Sequence, residues 1–341
     1  MVDPLISYSL ATKYNMMTVN IKKGSPHTDK IFKYIAIGSG TFVIAIIVMI
    51  VVNLGVGSAP IWEKEGLYFL TGSDWNSVED REIYGAAPYI MGTLVTAGIA
   101  IVISVPLSFG IGMFLSELSP KLLRTPLAMV IELLAAVPSV IYGLWGLLVF
   151  RTYVQDWIEV PLHNLFGDQS IIFAGTPFGL DILTASIVLA IMIVPTISSI
   201  SREIMIAVPN SQREAAYMLG ATKWEAFRLA VLPYSKSGLI GAVILGLGRA
   251  VGETMAVTML IGNATGQAAF PTSLFQPGQT MASIMANEFA EASQGGLHLA
   301  ALVGIGLILF IIAFFISPKT RGFKIAVPNP TLASRHTPQS V

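Results

Sequence analysis

Residues Ser237–Gly262 read SGLIGAVILGLGRAVGETMAVTMLIG, and the rest of the chain is best read outward from them. The stretch can cross a bilayer, for which about 20 apolar residues suffice. Its only charges are Arg249 and Glu253, near the middle. A charge at the centre of a membrane helix costs roughly 2.5–3.5 kcal/mol on insertion scales, so an ionisable residue there marks a functional site by default. Residues four apart on a continuous helix share a face, and Arg249 and Glu253 are therefore expected to partner each other. Gly241, Gly246, Gly248 and Gly252 surround them, and Gly248 and Gly252 have the small-xxx-small spacing of membrane helix interfaces.

The composition agrees with a bilayer setting. The 341 residues are 54% hydrophobic and 12% charged, against about 25% charged in soluble domains. Mean hydropathy is +0.71. A formal net charge of zero argues against nucleic acid as a partner. With no cysteine, disulfides and thiolate metal sites are excluded, and the four histidines have no ligand spacing. No Gly-Lys dipeptide occurs, so there is no phosphate-cradling P-loop, and ATP, if used, must bind another polypeptide. No cofactor is expected in this chain.

Six apolar spans are predicted, at 35–54, 89–115, 127–150, 182–200, 237–262 and 297–316. The fold class is thus an all-α integral membrane protein with six transmembrane helices. The first run is too long for the core of a cleaved signal peptide and reads as a retained anchor. Lys and Arg number sixteen in the 1–34 tail, the 116–126 and 201–236 loops and the 317–341 tail together, against three in the alternate segments. That asymmetry predicts a cell-membrane protein, in contact with lipid, whose two termini are cytoplasmic. Externally, loop 55–88 holds six acids and segment 151–181 holds four (Asp156, Glu159, Asp168, Asp181). Either a solvated cap or a docking surface for an external protein fits them.

Pro106, Pro138 and Pro195 fall in three consecutive spans, each followed closely by a hydroxyl, at Ser108, Ser139 and Thr196. A proline frees a backbone carbonyl that must be satisfied again inside a membrane. Bent helices of this kind line transporter pathways, so a bundle enclosing a polar route is expected. Glu132 is either interfacial or faces that bundle.

The 201–236 loop contains SQREAAYMLGATKWEAFRLAVLP, Ser211 to Pro233. Ser211/Glu214 and Thr222/Glu225 have capping-box spacing, Gly220 suits a left-handed helix end, and Pro233 is expected to stop the second helix. Two short helices around a tight turn should expose Arg213, Lys223 and Arg228 among Tyr217, Met218, Leu219 and Trp224. Such a face suits another protein's groove.

This loop resembles the EAA motif of ABC-transporter permeases of the binding-protein-dependent importer type. The match lies at Glu214, Ala215, Ala216, Gly220, Leu232 and Pro233, and it departs at Ala230, where the pattern has isoleucine. The resemblance covers a five-span core, residues 89–316; the first helix (35–54) and external loop 55–88 are an N-terminal addition. It implies a MetI-like type I importer fold in which those six residues couple to a cytoplasmic ABC ATPase dimer. Within the family, GRAVGETMAV and Glu132–Leu147 (ELLAAVPSVIYGLWGL) are similar to the phosphate-importer permeases, on the PstC-type side. A PstA-like second permease subunit and an external phosphate-binding protein follow as implied partners, and Arg249, Glu253, Thr254 and Ser139 as pathway residues. Sulfate and molybdate permeases usually carry Gly-Glu-Phe-Gly where this chain has Gly252-Glu253-Thr254-Met255.

Chemically, Arg offers a donor fork matched to oxyanions and stays charged when desolvated. Glu253 could hold Arg249 while the pathway is empty, or accept the proton-bearing oxygen of HPO₄²⁻. A register-fixing ion bridge remains the structural reading of the pair. An ion-coupled transporter working alone is the competing class. A membrane enzyme is disfavoured, since the chain offers no nucleophile–base or metal constellation.

Overall fold

The computed structural model describes residues 26–316 except Glu79 and residues 168–169. The 1–25 part of the N-terminal tail and the whole C-terminal tail, with their lysines and arginines, lie outside the described residues. The chain divides into two units, 1–53 and 54–341.

In the first unit the described residues belong to helix α1 (Pro26–Glu65), and Lys30 through Asn53 are exposed along it. An apolar helix exposed all round is what lipid tolerates, because its backbone bonds are all internal.

The second unit is built on α2 (Ala87–Leu118), α3 (Lys121–Ala135), α4 (Ser139–Phe166), α5 (Ile182–Ile206), α6 (Asn210–Met218), α7 (Lys223–Val251), α8 (Met255–Leu260), α9 (Met281–Glu288) and α10 (Leu297–Ile316). A two-stranded antiparallel ribbon, β1 (Trp75–Asn76) with β2 (Ile83–Tyr84), pairs Trp75 with Tyr84. Among the described residues five helices are long and apolar enough to span a membrane, or six spans when α3 and α4 count as one broken span.

α5 is the most buried span, and α2 is its principal neighbour. Small residues allow the approach: a Cβ on Gly112 would lie 3.2 Å from that of Ser201. Ser108 donates across to the Val194 carbonyl at 3.2 Å. α7 closes on the other side through Gly246, whose added Cβ would meet Ile197 Cδ1 at 2.5 Å. Ala97, Ala100, Val188, Ile193, Ile197, Ala242 and Val257 form the shared core. At the ribbon end a second cluster gathers Ile61, Phe69, Tyr84, Tyr89, Met281 and Ile305. At the other end Met205, Val208, Phe227, Val231 and Leu239 pack under the loop helices.

Of the three prolines, only Pro138 breaks a span. α3 and α4 meet there at 86°, so the stretch expected as one helix at 127–150 is two. Pro106 and Pro195 sit inside unbroken helices. α2 and α5 pack along each other around those two, with Ser108 bonded to the Val194 carbonyl, whereas at the Pro138 corner the Tyr142 hydroxyl of α4 donates back to the Leu134 carbonyl of α3 at 3.1 Å. Pro233 does not end its helix either. The turn Phe227–Val231 widens to π geometry, with the Leu232 N–H reaching Phe227 O. That turn contains the Leu229 carbonyl that the proline ring would otherwise strike, and α7 runs on to Val251.

Candidate functional site

The span that carries Arg249 and Glu253 is discontinuous. α7 ends at Val251 with Gly252 as its cap, and α8 starts at Met255. The last bonds are long, Gly252 N–H to Gly248 O at 3.3 Å and Glu253 N–H to Ala250 O at 3.4 Å. Glycine spacing explains the stop, since glycine is a weak helix former. The expected Arg249–Glu253 partnership therefore fails: four-residue spacing aligns side chains only on an unbroken helix. Instead Glu253 Oε1 accepts the Ala256 N–H at 3.4 Å and caps α8.

Arg249 points elsewhere. Its Nη1 donates to Thr196 Oγ1 at 2.8 Å, across to α5. Half-buried, it joins no ion pair among the described residues, and its other donors have no protein partner there. Tyr142 of α4 lies within electrostatic reach of it, and α4 packs tightly on α8 where an added Cβ on Gly143 would lie 2.8 Å from Met259 Sδ. The elements surrounding Arg249 are thus α5, the α7–α8 break and the start of α4. Ser139 opens α4 half-buried, and Thr254 donates to Gly252 O at 3.4 Å; neither is bonded to Arg249. Thr196, one residue past Pro195, is the residue this site adds. Its only signal in sequence was a hydroxyl beside a proline.

The 201–236 loop forms its two helices. Gly220 turns at φ +83°, and Thr222 and Glu225 make the full capping box. The box holds the Glu225 carboxyl below its usual range. Ser211 and Glu214 do not cap; α6 starts after Pro209 with no side-chain cap, leaving Glu214 exposed and unbonded. Ala215, Ala216, Leu219, Gly220, Leu229 and Ala230 line an open cleft of about 450 Å³ between α6 and α7. Ala230, where the EAA pattern has the bulkier isoleucine, is one of its walls. Leu232 and Pro233 are exposed on α7. Met218 and Leu219 stand 87% and 90% exposed at the tip, and none of the described residues covers them.

Arg213 departs from expectation. Rather than facing solvent, its side chain is 15% exposed and pairs with Glu117 of α2, Nη2 to Oε1 at 2.8 Å. It also donates to the Met205 carbonyl at 2.7 Å and to that of Val208, capping the end of α5. Glu117 is 96 positions away in sequence, beyond any local pattern. Glu132, by contrast, is 61% exposed and 3.9 Å from Arg202.

At the ribbon end the acids are not all solvated. Glu159 is 0% and Asp181 1% exposed. Glu159 accepts from Gly179 N–H and Thr184 Oγ1, both at 3.0 Å, and Asp181 Oδ1 caps α5 at Thr184 N–H, 2.8 Å. Among the described residues Asp181 Oδ2 has no donor. Burial, with the Glu159 carboxyl beside it, pushes the Asp181 carboxyl up to about 8. Nearby, Trp75 Nε1 and His298 Nε2 both meet Glu288 Oε2 at 2.8 Å, with Tyr84 stacked on the His298 ring.

Residues 108–321 match the family of binding-protein-dependent transport system inner membrane components. The phosphate transport system permease protein PstC of Pasteurella multocida is 48% identical, aligned over 80% of this chain and 83% of that protein. The PstC proteins of Haemophilus influenzae and Mesorhizobium japonicum are 45% and 44% identical, over 83% and 85% of this chain and 89% and 88% of theirs.

Proposed function

We propose, from the premise that this chain belongs to the binding-protein-dependent transport system inner membrane component family, that it is the PstC-type permease subunit of an ATP-driven phosphate importer. The chain is a multi-pass membrane protein. It forms the pathway with a PstA-like second permease and performs no chemistry on its cargo. A separate cytoplasmic ATPase dimer engages the α6–α7 loop, and an external phosphate-binding protein delivers the anion. Both termini are cytoplasmic.

One observation carries the pathway reading. Among the described residues Arg249 is positioned by a neutral hydroxyl rather than neutralised by a carboxylate, which leaves most of its fork without a protein partner. An arginine held this way keeps donors and charge for a desolvated oxyanion. Thr254 and Ser139, at the two helix breaks, are the further polar contacts proposed along the route. Glu253 caps α8 through Oε1 alone, and its other carboxylate oxygen is the acceptor proposed for a protonated phosphate oxygen.

Uptake of labelled phosphate and sulfate by the reconstituted complex tests this. Phosphate should be preferred, and Arg249→Lys, which keeps charge without the fork, should lose most uptake at unchanged assembly. Equal uptake of both anions, or undiminished uptake by Arg249→Lys, overturns it. A Glu253→Gln variant with unaltered phosphate-over-sulfate preference removes Glu253 from selectivity.

A further inference from the structure

One guanidinium joins three elements at the loop end of the bundle. Arg213 sits on α6, one residue before Glu214. Its Nε and Nη2 grip both oxygens of Glu117, with the Nε contacts at 3.1 and 3.4 Å. Glu117 lies in the π turn Phe114–Leu118 that ends α2. The remaining donors go to the Met205 carbonyl in the last turn of α5, to the Val208 carbonyl just past its end and to Asn210 Oδ1 at 3.4 Å. Both side chains are mostly buried, at 15% and 12% exposure. A planar fork satisfied on every edge permits little independent motion of the parts it connects. By comparison, Glu214 beside it is exposed and unbonded.

The geometry points to Glu117 and Arg213 as positioning residues that make α6 move as one body with the ends of α2 and α5, so that displacement of the loop by an ATPase reaches the pathway. This rests on the permease reading above. α5 then supplies the route inward, because Thr196, nine residues before Met205, holds Arg249. The apolar contacts below the loop, Phe227 and Val231 on Met205 and Val208, keep α7 in register with the same ends. Spatial continuity alone does not establish coupling, so the test is energetic.

The full complex should be reconstituted with Glu117→Gln, Glu117→Asp, Arg213→Lys and the double variant Glu117→Gln/Arg213→Lys. Assembled complex, ATP hydrolysis and phosphate uptake are measured together. The expected result is wild-type assembly and hydrolysis with phosphate moved per ATP reduced about tenfold in Glu117→Gln, the scale of a lost charged hydrogen bond. Glu117→Asp should recover part of this, and the double variant should be no worse than its poorer parent. The proposal is overturned if phosphate per ATP stays within twofold in both single variants, if their effects simply add, or if loss of assembled complex accounts for the whole deficit. Should the unmodified complex move no phosphate on ATP, the permease reading itself fails, a distinct outcome.

Discussion

Replacing Thr196 by valine removes one hydroxyl at nearly constant shape, and its effect follows from a single bond. Arg249 Nη1 donates to Thr196 Oγ1 at 2.8 Å, and no other protein acceptor holds the guanidinium among the described residues. Hydrogen bonds to charged groups contribute about 1.5–3 kcal/mol, and half-burial of Arg249 places this one lower, at about 1–2 kcal/mol. If the bond orients the fork for an anion, that energy appears as a loss of about 5- to 30-fold in phosphate uptake at limiting substrate. Thr196→Ser, which restores the hydroxyl, should return to near wild type. The assay is initial-rate uptake in proteoliposomes, normalised to assembled complex. Uptake by Thr196→Val within twofold of wild type would refute the reasoning, because Arg249 would then need no aiming.

Other consequences are open to measurement. Asp181 keeps its proton to about pH 8 in the fold and only to about 4 when unfolded, so the folded chain holds one more proton between those values. Thermal stability in detergent should therefore fall as pH rises from about 4 to 8, by up to about 1.4 kcal/mol per unit, and level off above. Asp181→Asn, which mimics the protonated form, should flatten that profile; an unchanged profile counts against the raised Asp181 carboxyl as its source. Gly246→Ala drives a methyl to 2.5 Å from Ile197 and should destabilise the chain by about 1–3 kcal/mol. Gly248→Ala meets nothing within 4 Å and should leave the isolated chain's melting unchanged or raise its stability by up to about 1 kcal/mol, since alanine is the better helix former. If the second permease packs on that face, Gly248→Leu lowers recovery of the permease pair; full recovery counts against such packing. Glu214→Ala, at an exposed unbonded position, should leave melting alone while weakening capture of the ATPase, and equal capture would remove Glu214 from docking.

Features set by local rules were legible in the sequence. Hydropathy located the spans, and the Thr222–Glu225 box and the Gly220 turn depend on residues within three positions of each other. What escaped depends on distant residues or on backbone continuity. Arg213 reads as a solvated charge until α2 brings Glu117 to it. Glu159 and Asp181 read as surface acids until α5 buries them together. Arg249 and Glu253 read as a pair because helical periodicity was extended through Gly252. Three prolines suggested three disrupted spans, yet only the helix at Pro138 is broken, since whether a proline breaks a helix depends on what packs beside it.

The π turn at Phe227–Val231 sets an angle as well as sparing a proline. An α-helix advances about 100° per residue, so the extra residue in that turn sets the azimuth of everything after it relative to Lys223–Ala226. Arg249, 18 residues beyond Val231, lies five whole turns and about 27 Å along the axis. Deleting one residue at the turn would leave both helical halves intact and the apolar pattern nearly unchanged. It would nonetheless swing Gly246 off Ile197 and aim Arg249 a quarter-turn away from Thr196. The bearing of Arg249 is thus dialled in at the opposite end of its helix, by the phase of a single irregular turn.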